Sequence, residues 1–252
     1  MNDLAMNELV LKNITKKYGS KTALDDVSIT FKTGINALLG PNGSGKSTMM
    51  NIIADLISAN SGSVLWNGTE TSKLGADFRE ILGFMPQSAE LYKRFTAADN
   101  LRYFGKLKGM SPKDVEDKIP ELLEKVNLSD CVKKKFGGFS GGMKQRLGIA
   151  VTIMNSPKLV IFDEPTAGLD PKERVRFRDI LGEISKDAVV IMSTHIVSDV
   201  EMLADNIVML RSGKVCENGT PEELENKYSF SDTENRTALE NIYMKFFGEN
   251  EL

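Results

Sequence analysis

The sequence has little cysteine, one histidine and no long hydrophobic run. Its two cysteines, Cys131 and Cys216, lie far apart among 252 residues and show no metal-ligand spacing, so we expect free, buried thiols in a reducing compartment. The longest mostly apolar stretch, residues 147–154, is much shorter than the about 20 residues that a membrane-spanning helix needs. The first ten residues lack the apolar segment of a secretory signal. These absences predict a soluble protein of the cytoplasm.

A strong net charge is also absent. The formal net charge is only −3, so the composition does not indicate a nucleic-acid-binding polycation and we expect no nucleic-acid partner. The charge is uneven, because residues 216–252 hold nine acidic and three basic side chains. We therefore expect an acidic C-terminal helix and tail over residues 226–252. The simpler interpretation is a solvated element, and the alternative is an element that docks a partner.

Hydrophobic patterning predicts an α/β fold. Residues 8–13 and 27–32 alternate apolar and polar side chains, as half-buried strands do. Residues 90–155 carry many charges at helix-like spacing, so we expect a helical insertion there. Four short apolar runs predict buried strands of a parallel sheet, at residues 35–40, 158–163, 188–194 and 206–213. A helix is predicted after residue 46 by one apolar stripe, which consists of Met49, Ile52, Ile53 and Leu56.

A glycine-rich stretch lies between a predicted strand and that helix, and it matches the pattern G-x-x-x-x-G-K-[S/T]. Glycines let backbone N–H groups turn inward to hold phosphate oxygens, and the helix N-terminus adds a partial positive charge. We predict that Lys46 reaches the β- and γ-phosphates and that the Ser47 hydroxyl binds Mg²⁺. An ordinary turn before a helix is the structural alternative. The residues predicted to hold nucleotide here are Gly40, Pro41, Asn42, Gly43, Ser44, Gly45, Lys46, Ser47 and Thr48.

This loop does not by itself name the reaction, since kinases, GTPases and ATP-driven motors share it. A GTPase should also contain N-K-x-D to bind guanine. The nearest string, which begins at Asn226, lacks the aspartate.

Two adjacent carboxylates, Asp163 and Glu164, end one of the predicted buried strands. Neighbouring side chains point to opposite sides of a strand, so we expect the two to have different roles. We predict that Asp163 holds Mg²⁺, usually through water, and that Glu164 orients or deprotonates the attacking water. A helix N-cap pair is the alternative.

A second anion-binding turn is predicted at Ser140, Gly141 and Gly142, which precede a helix. One nucleotide does not need two such turns, but two chains facing head to tail would use both. A capped helix start explains this turn equally well.

Three further residues are candidates for nucleotide contacts. His195 follows a predicted strand and could reach the γ-phosphate, although a lone histidine is more often structural. Gln87 could reach the metal from a strand end. Tyr18 could stack on adenine, although a partly buried tyrosine without a ligand is the simpler interpretation.

Taken together, these motifs resemble the nucleotide-binding subunit of an ATP-binding cassette (ABC) transporter. The resemblance covers about residues 8–220, and residues 167–170 match the D-loop of that family. The family's usual signature is Leu-Ser-Gly-Gly-Gln, whereas this chain has Phe139 and Met143 at the outer positions. The elements that carry the resemblance are, in order, Tyr18, the loop from Gly40 to Thr48, Gln87, Ser140, Asp163 with Glu164, and His195.

The resemblance implies a P-loop NTPase core with a mostly parallel sheet, an N-terminal antiparallel β subdomain and the α-helical insertion. It places an ABC ATPase domain at residues 1–225. It also implies ATP and Mg²⁺ as cofactors, and a dimer, here a homodimer, in which one chain's phosphate loop faces the other chain's signature. The cross-subunit contacts would come from Ser140, Gly141, Gly142 and Asp170. The residues implied for catalysis are Glu164, His195, Lys46 and Gln87, and those implied for the metal are Ser47, Gln87 and Asp163.

The resemblance further implies a separate integral membrane permease as partner, with the chain peripheral on the inner face of the membrane. The motif variants look most like bacterial exporters of drugs, peptides or lipids. Permease docking is expected near Gln87, at residues 88–100, where core packing of the insertion is the alternative. Two other functions stay open from the residues. One is a soluble ABC ATPase that acts on a macromolecule, and the other is a cassette that dimerises on nucleotide without hydrolysing it.

Overall fold

The computed structural model describes residues 7–88, 90–166, 168–228 and 236–248. In these parts of the chain, ten strands form two sheets and ten α-helices surround them. The strands are β1 (Glu8–Tyr18), β2 (Lys21–Lys32), β3 (Gly34–Leu39), β4 (Ser61–Trp66), β5 (Thr69–Glu70), β6 (Leu82–Met85), β7 (Leu159–Asp163), β8 (Val189–Thr194), β9 (Asn206–Arg211) and β10 (Lys214–Gly219). The helices are α1 (Lys46–Ile53), α2 (Thr71–Leu74), α3 (Ala76–Ile81), α4 (Ala97–Leu107), α5 (Pro112–Lys125), α6 (Gly141–Ile153), α7 (Pro171–Ile184), α8 (Val197–Glu201), α9 (Pro221–Lys227) and α10 (Ala238–Phe247).

The central sheet has the strand order β10-β9-β3-β8-β7-β6. Its five strands from β9 to β6 pair in parallel, and β10 pairs antiparallel with β9. The second sheet, with the order β2-β1-β4-β5, is antiparallel. The predicted α/β fold, with a mostly parallel sheet and an antiparallel N-terminal sheet, is therefore confirmed.

The central sheet separates two apolar layers. Leu38 points into a core shared with the antiparallel sheet and α1, whereas Ala37 and Leu39 point into a core shared with α4 to α7. Both faces are covered because side chains alternate along a strand. Full burial of one such aliphatic side chain contributes about 1.5–3 kcal/mol. These layers hold the carboxyl ends of the parallel strands at one edge of the sheet.

Helix α1 is shorter than the apolar stripe predicts. It ends at Ile53, and the side chain of Leu56 is 60% exposed. Asp55 has φ of 58°, in the left-handed region, and the amide of Leu56 bonds back to the carbonyl of Asn51. This is a helix-terminating turn, usually made by glycine. No glycine marks it here, so the pattern gave no stop signal.

Helices α4, α5 and α6 pack together beside the sheet, within the region predicted as a helical insertion. Thr96 caps α4 with a reciprocal capping box to Asp99, and Ser111 caps α5 by accepting from the amide of Asp114. Helix α6 also packs against β6, so it joins this group of helices to the sheet.

Two expectations about side-chain environment need correction. Cys131 and Cys216 are free, as expected, but both are only half-buried. The C-terminal segment is not simply solvated, because α10 buries Leu239 and Ile242 against the helical core and packs on α8 and α9. Helix α10 carries one acidic and one basic side chain, Glu240 and Lys245, and most of its other residues are apolar, which allows this burial. Residues 229–235 and 249–252 of the predicted tail lie outside the described residues.

Across the described ranges, no helix combines the length and apolar content that crossing a bilayer requires.

Candidate nucleotide-binding and catalytic site

The loop after β3 has a backbone that only glycine tolerates. Gly43 and Gly45 have φ of 80° and 113°, in the left-handed region. A Cβ atom at Gly45 would lie 2.7 Å from the carbonyl oxygen of Ala23 and 2.9 Å from Leu24 Cδ2. One at Gly40 would lie 2.3 Å from the carbonyl oxygen of Leu210. The three glycines thus allow both the turn and its close packing on neighbouring backbone.

The amides of this loop point to no protein acceptor. Helix α1 begins at Lys46, and no side chain caps its N-terminus. Within the described residues, the backbone N–H groups of Gly43, Gly45, Lys46, Ser47 and Thr48 make no hydrogen bond to the protein. Amides left without a protein acceptor at a helix N-terminus favour an anion.

Lys46 lies inside this loop. Its side chain is buried, and Nζ donates to the carbonyl oxygens of Gly40 at 2.6 Å and Pro41 at 3.1 Å. Burial lowers the pKa of Lys46, and the carboxylates of Glu164 and Asp163 oppose that shift. The ammonium therefore sits where a phosphate charge would stabilise it.

The carboxyl ends of β7 and β8 bring four polar residues together. Ser193 Oγ donates to Asp163 Oδ1 at 2.6 Å and accepts from the amide of Glu164 at 2.9 Å. His195 Nδ1 lies 2.9 Å from Glu164 Oε2. These contacts join residues about thirty positions apart, because β7 and β8 are neighbouring parallel strands.

Asp163 and Glu164 face the same cavity, not opposite sides. Strand β7 ends at Asp163, and Glu164 has φ of 49°, in the left-handed region. The turn brings the second carboxylate back toward the first, and both line the cavity next to the glycine loop. A non-glycine residue held in this conformation is uncommon and often marks a functional position.

That cavity has a volume of about 230 Å³ and opens to solvent. Gln87 and Tyr18 lie on its wall, and the Tyr18 side chain is 51% exposed, with Lys16 Nζ 5.1 Å from the ring centroid. The residues that line it are Tyr18, Lys21, Ala23, Asn42, Gly43, Gly45, Lys46, Ser47, Thr48, Gln87, Asp163 and Glu164.

Three predicted loop residues lie away from this lining. Gly40 is buried behind the loop, while Pro41 and Ser44 face a separate outer cavity beside Arg211 and Phe247. His195 does not line the main cavity either, but its half-exposed ring reaches it through Glu164.

The residues predicted to contact a partner's nucleotide form a second group. Ser140 caps α6 by accepting from the amide of Met143, and Asp170 caps α7 by accepting from the amide of Glu173. A Cβ atom at Gly142 would lie 2.6 Å from Glu173 Oε2, so the two helix N-termini are neighbours. Gly141 begins α6 beside them. None of the four predicted residues lines the cavity that holds Lys46.

Sequence reasoning missed three residues of the site. Ser193 joins the carboxylate of Asp163 to the backbone amide of Glu164, and Lys21 and Ala23 form part of the cavity wall. The signal for Ser193 was a serine in an otherwise apolar strand. No sequence pattern marks Lys21 and Ala23 as site residues, because they lie on β2 and reach the loop only through the tertiary fold.

The geometry suits a nucleoside triphosphate with a hard divalent cation. Unpaired amides and Lys46 form one wall, which fits phosphate oxygens. The oxygens of Ser47, Asp163 and Gln87 form another wall, which fits Mg²⁺. Mg²⁺ commonly takes one or two protein oxygens and completes its shell with water and substrate phosphate.

The sequence profile of the ABC transporter family matches residues 24–167. The lantibiotic transport ATP-binding protein SrtF of Streptococcus pyogenes is 43% identical over 209 residues, which cover 82% of this chain and 88% of SrtF. The linearmycin resistance ATP-binding protein LnrL of Bacillus subtilis is 36% identical over 218 residues, which cover 86% of this chain and 70% of LnrL.

Solved structures of ABC transporter cassettes have a similar fold. The dimeric structure of the bacterial ABC transporter cassette MJ0796 superposes with a TM-score of 0.78 at 28% identity, over 84% of this chain and 98% of the other. A dimer of the same cassette in a post-hydrolysis state, bound to ADP and inorganic phosphate, gives a TM-score of 0.77.

Proposed function

The chain belongs to the ATP-binding subunits of ABC transporters, and on that premise we propose that it hydrolyses MgATP to power a separate membrane permease that exports a peptide or drug. It is an ABC ATPase by family. The residues that perform the reaction, the metal and the cargo are the parts that we propose.

One observation carries the proposal for the reaction. The glycine loop with Lys46 and the two carboxylates Asp163 and Glu164 line a single cavity. This arrangement supports our proposal that a phosphate-binding surface and a general base share one cavity.

We assign the steps to residues as follows. Lys46 and the loop amides bind the β- and γ-phosphates and stabilise the charge that develops during transfer. Glu164 aligns the attacking water and accepts its proton. His195 contacts Glu164 through Nδ1, and we assign it the contact with the γ-phosphate. Tyr18 stacks on the adenine ring.

Ser47, Asp163 and Gln87 are the residues that would hold Mg²⁺. When bound, the metal neutralises charge on the phosphate oxygens and orients them. Ser193 fixes the orientation of Asp163 by donating to Oδ1, so one carboxylate oxygen stays available.

We propose that two chains complete each other's sites. The group formed by Ser140, Gly141, Gly142 and Asp170 lies apart from the cavity of its own chain. In a head-to-tail homodimer this group would face the γ-phosphate bound by the other chain. The dimer of the related cassette MJ0796 supports this arrangement.

The permease would bind at the cleft between the central sheet and helices α4 to α6. A cavity of about 760 Å³ lies there, and its lining includes Phe84, Gln87, Leu91 and Phe104. Tyr92 is 46% exposed, and its ring lies 5.0 Å from that of Phe95 and 4.8 Å from that of Tyr103, between centroids. This aromatic surface and the apolar lining fit a helix of a membrane partner. Binding there would hold the chain at the inner face of the membrane. Ala89 of the predicted docking segment lies outside the described residues.

The similarity to SrtF and LnrL favours export of an antimicrobial compound. The experiment has two parts. Phosphate release by the purified chain is measured with MgATP. Strains that lack the gene are then complemented with the parent or with Lys46→Ala, and their tolerance of a lantibiotic and of linearmycin is compared.

We expect phosphate release by the parent, and tolerance restored by the parent only, for at least one of the two compounds. Phosphate release without any change in tolerance would remove the export assignment and leave the ATPase. Lack of phosphate release by the parent, alone and with its permease, would remove the catalytic assignment.

A further inference from the structure

Thr166 and Asp199 connect two segments that carry the proposed catalytic residues. The hydroxyl of Thr166 donates to Asp199 Oδ2 at 2.8 Å. Thr166 is 2% exposed, and 13% of the Asp199 side chain is exposed. Water competes weakly for a hydrogen bond in such surroundings, so the bond holds its two segments together.

Thr166 and Asp199 each lie close in sequence to a proposed catalytic residue. Thr166 follows Glu164 by two residues, and Asp199 lies in the first turn of α8, which begins two residues after His195. The amide of Asp199 donates to the carbonyl of Ile196 at 3.2 Å, so the helix start is fixed to the chain next to His195.

The same two segments are also joined nearer the cavity by two side chains: Ser193, which bonds to both Asp163 and Glu164, and His195, which contacts Glu164. The Thr166–Asp199 bond is a third connection, farther from the cavity. Because His195 is half-exposed, its contact with Glu164 competes with water, and the buried third connection is better placed to hold the spacing.

Arg174 secures Asp199 from the other side. Its Nη1 lies 3.7 Å from Asp199 Oδ1, and its Nε donates to the carbonyl of Leu169 at 3.4 Å. The positive charge of Arg174 offsets part of the cost of burying the Asp199 carboxylate. Helix α7 is thereby tied to the same connection.

The segment after Glu164 is also held from α6. Gln145 Nε2 donates to the carbonyl of Pro165 at 3.0 Å in a buried position. Residues 165 and 166 therefore lie between two anchors, one on α6 and one on α8.

We infer that Thr166 and Asp199 are positioning residues, which act together to hold Glu164 and His195 at their working separation. This inference rests on the proposed function, since it assigns a role in hydrolysis. Neither residue is among those described as lining the nucleotide cavity. Their loss should therefore slow turnover without weakening ATP binding.

The test uses four variants of the full chain: Thr166→Val, Thr166→Ser, Asp199→Ala and the double change Thr166→Val with Asp199→Ala. Valine keeps the shape of threonine and removes the hydroxyl, whereas serine keeps the hydroxyl. The kcat and KM for ATP are measured by phosphate release. The affinity for a non-hydrolysable ATP analogue is measured by titration.

We expect Thr166→Val and Asp199→Ala each to lower kcat about tenfold, with KM and analogue affinity unchanged within about twofold. Thr166→Ser should return kcat to within about threefold of the parent, because it restores the donor. The double variant should be no slower than the slower single variant, because either single change already removes the Thr166–Asp199 hydrogen bond.

Thr152→Val is the matched control. Thr152 is also a buried threonine, and its hydroxyl donates to the carbonyl of Gly148 at 2.8 Å within α6. This variant loses one buried hydroxyl without touching the connection, so its kcat should equal that of the parent. Melting temperatures of all variants separate a loss of positioning from a loss of fold.

A kcat equal to that of the parent in both single variants would overturn the inference. So would a double variant whose kcat falls by the product of the two single effects, or a KM for ATP that rises as kcat falls. If the parent chain itself released no phosphate, the proposed function would fail and the positioning role with it. If the parent hydrolyses ATP and both single variants do so at the parent rate, only the positioning role is wrong.

Discussion

The imidazole of His195 contacts the carboxylate of Glu164, with 2.9 Å between Nδ1 and Oε2. The two residues directly follow the neighbouring parallel strands β8 and β7, and Glu164 adopts a left-handed backbone conformation. Glu164 is 8% exposed, whereas 54% of the His195 side chain is exposed. The carboxylate is thus held inside the cavity by a residue that also reaches solvent, where a second chain would approach.

Glu164→Gln should leave ATP binding intact and slow hydrolysis about 10²- to 10⁴-fold, because the amide cannot accept the proton of the attacking water. The variant should accumulate as an ATP-bound dimer, which size-exclusion chromatography with MgATP detects. Glu183→Gln is the control, since Glu183 lies on the exposed side of α7 and pairs with Lys125. A Glu164→Gln chain that hydrolyses ATP at the parent rate would contradict the assigned role.

The stability of the nucleotide-free protein should depend on the protonation of Lys46. Burial lowers the pKa of Lys46 in the folded state below the 10.5 of the unfolded chain. Between these two pKa values the unfolded chain keeps a proton that the folded chain releases, so the free energy of unfolding rises with pH. Urea unfolding of the parent and of Lys46→Met, from pH 8 to 10.5, isolates this effect. The parent should gain stability relative to the variant as the pH rises, and a constant difference would contradict the burial of the ammonium.

Gly45→Ala should weaken ATP binding at least about tenfold, because the new methyl group would displace the loop from the carbonyl of Ala23. The affinity is measured by titration with a fluorescent ATP analogue. Gly182→Ala is the control on α7, where a Cβ atom meets nothing within 4 Å. It should leave binding unchanged and stabilise the protein by about 0.5–1 kcal/mol. Equal affinities of the two variants would show that the loop tolerates a side chain at Gly45.

Ile242→Ala should lower the free energy of unfolding by about 2–5 kcal/mol, because Ile242 is completely buried between α10 and the core. Met244 lies on the same helix and is 41% exposed, so Met244→Ala should change stability by less than about 0.5 kcal/mol. Chemical denaturation measures both. If the two variants unfold alike, α10 is not part of the core.

The prediction of the family, the α/β fold and the ATPase from sequence is confirmed, while the residue roles stay predictions. The sequence signalled the loop from Gly40 to Thr48 clearly because its chemistry is local. A buried strand, a glycine turn and a helix start follow one another, and each has its own residue preferences. The alternating runs likewise indicated the half-buried strands β1 and β2, and the apolar runs indicated the buried strands of the parallel sheet.

The sequence by itself determined the phosphate loop, the strand types and the order of the motifs, since these depend on neighbouring residues. The tertiary structure decided which distant residues meet. Parallel pairing of β7 with β8 joins Asp163 and Glu164 to Ser193 and His195, and the left-handed turn at Glu164 brings both carboxylates to one cavity. Tertiary packing also decides that α1 ends at Ile53 and that one face of α10 is buried. No local pattern encodes these outcomes, because they depend on which surfaces pack together once the whole chain has folded.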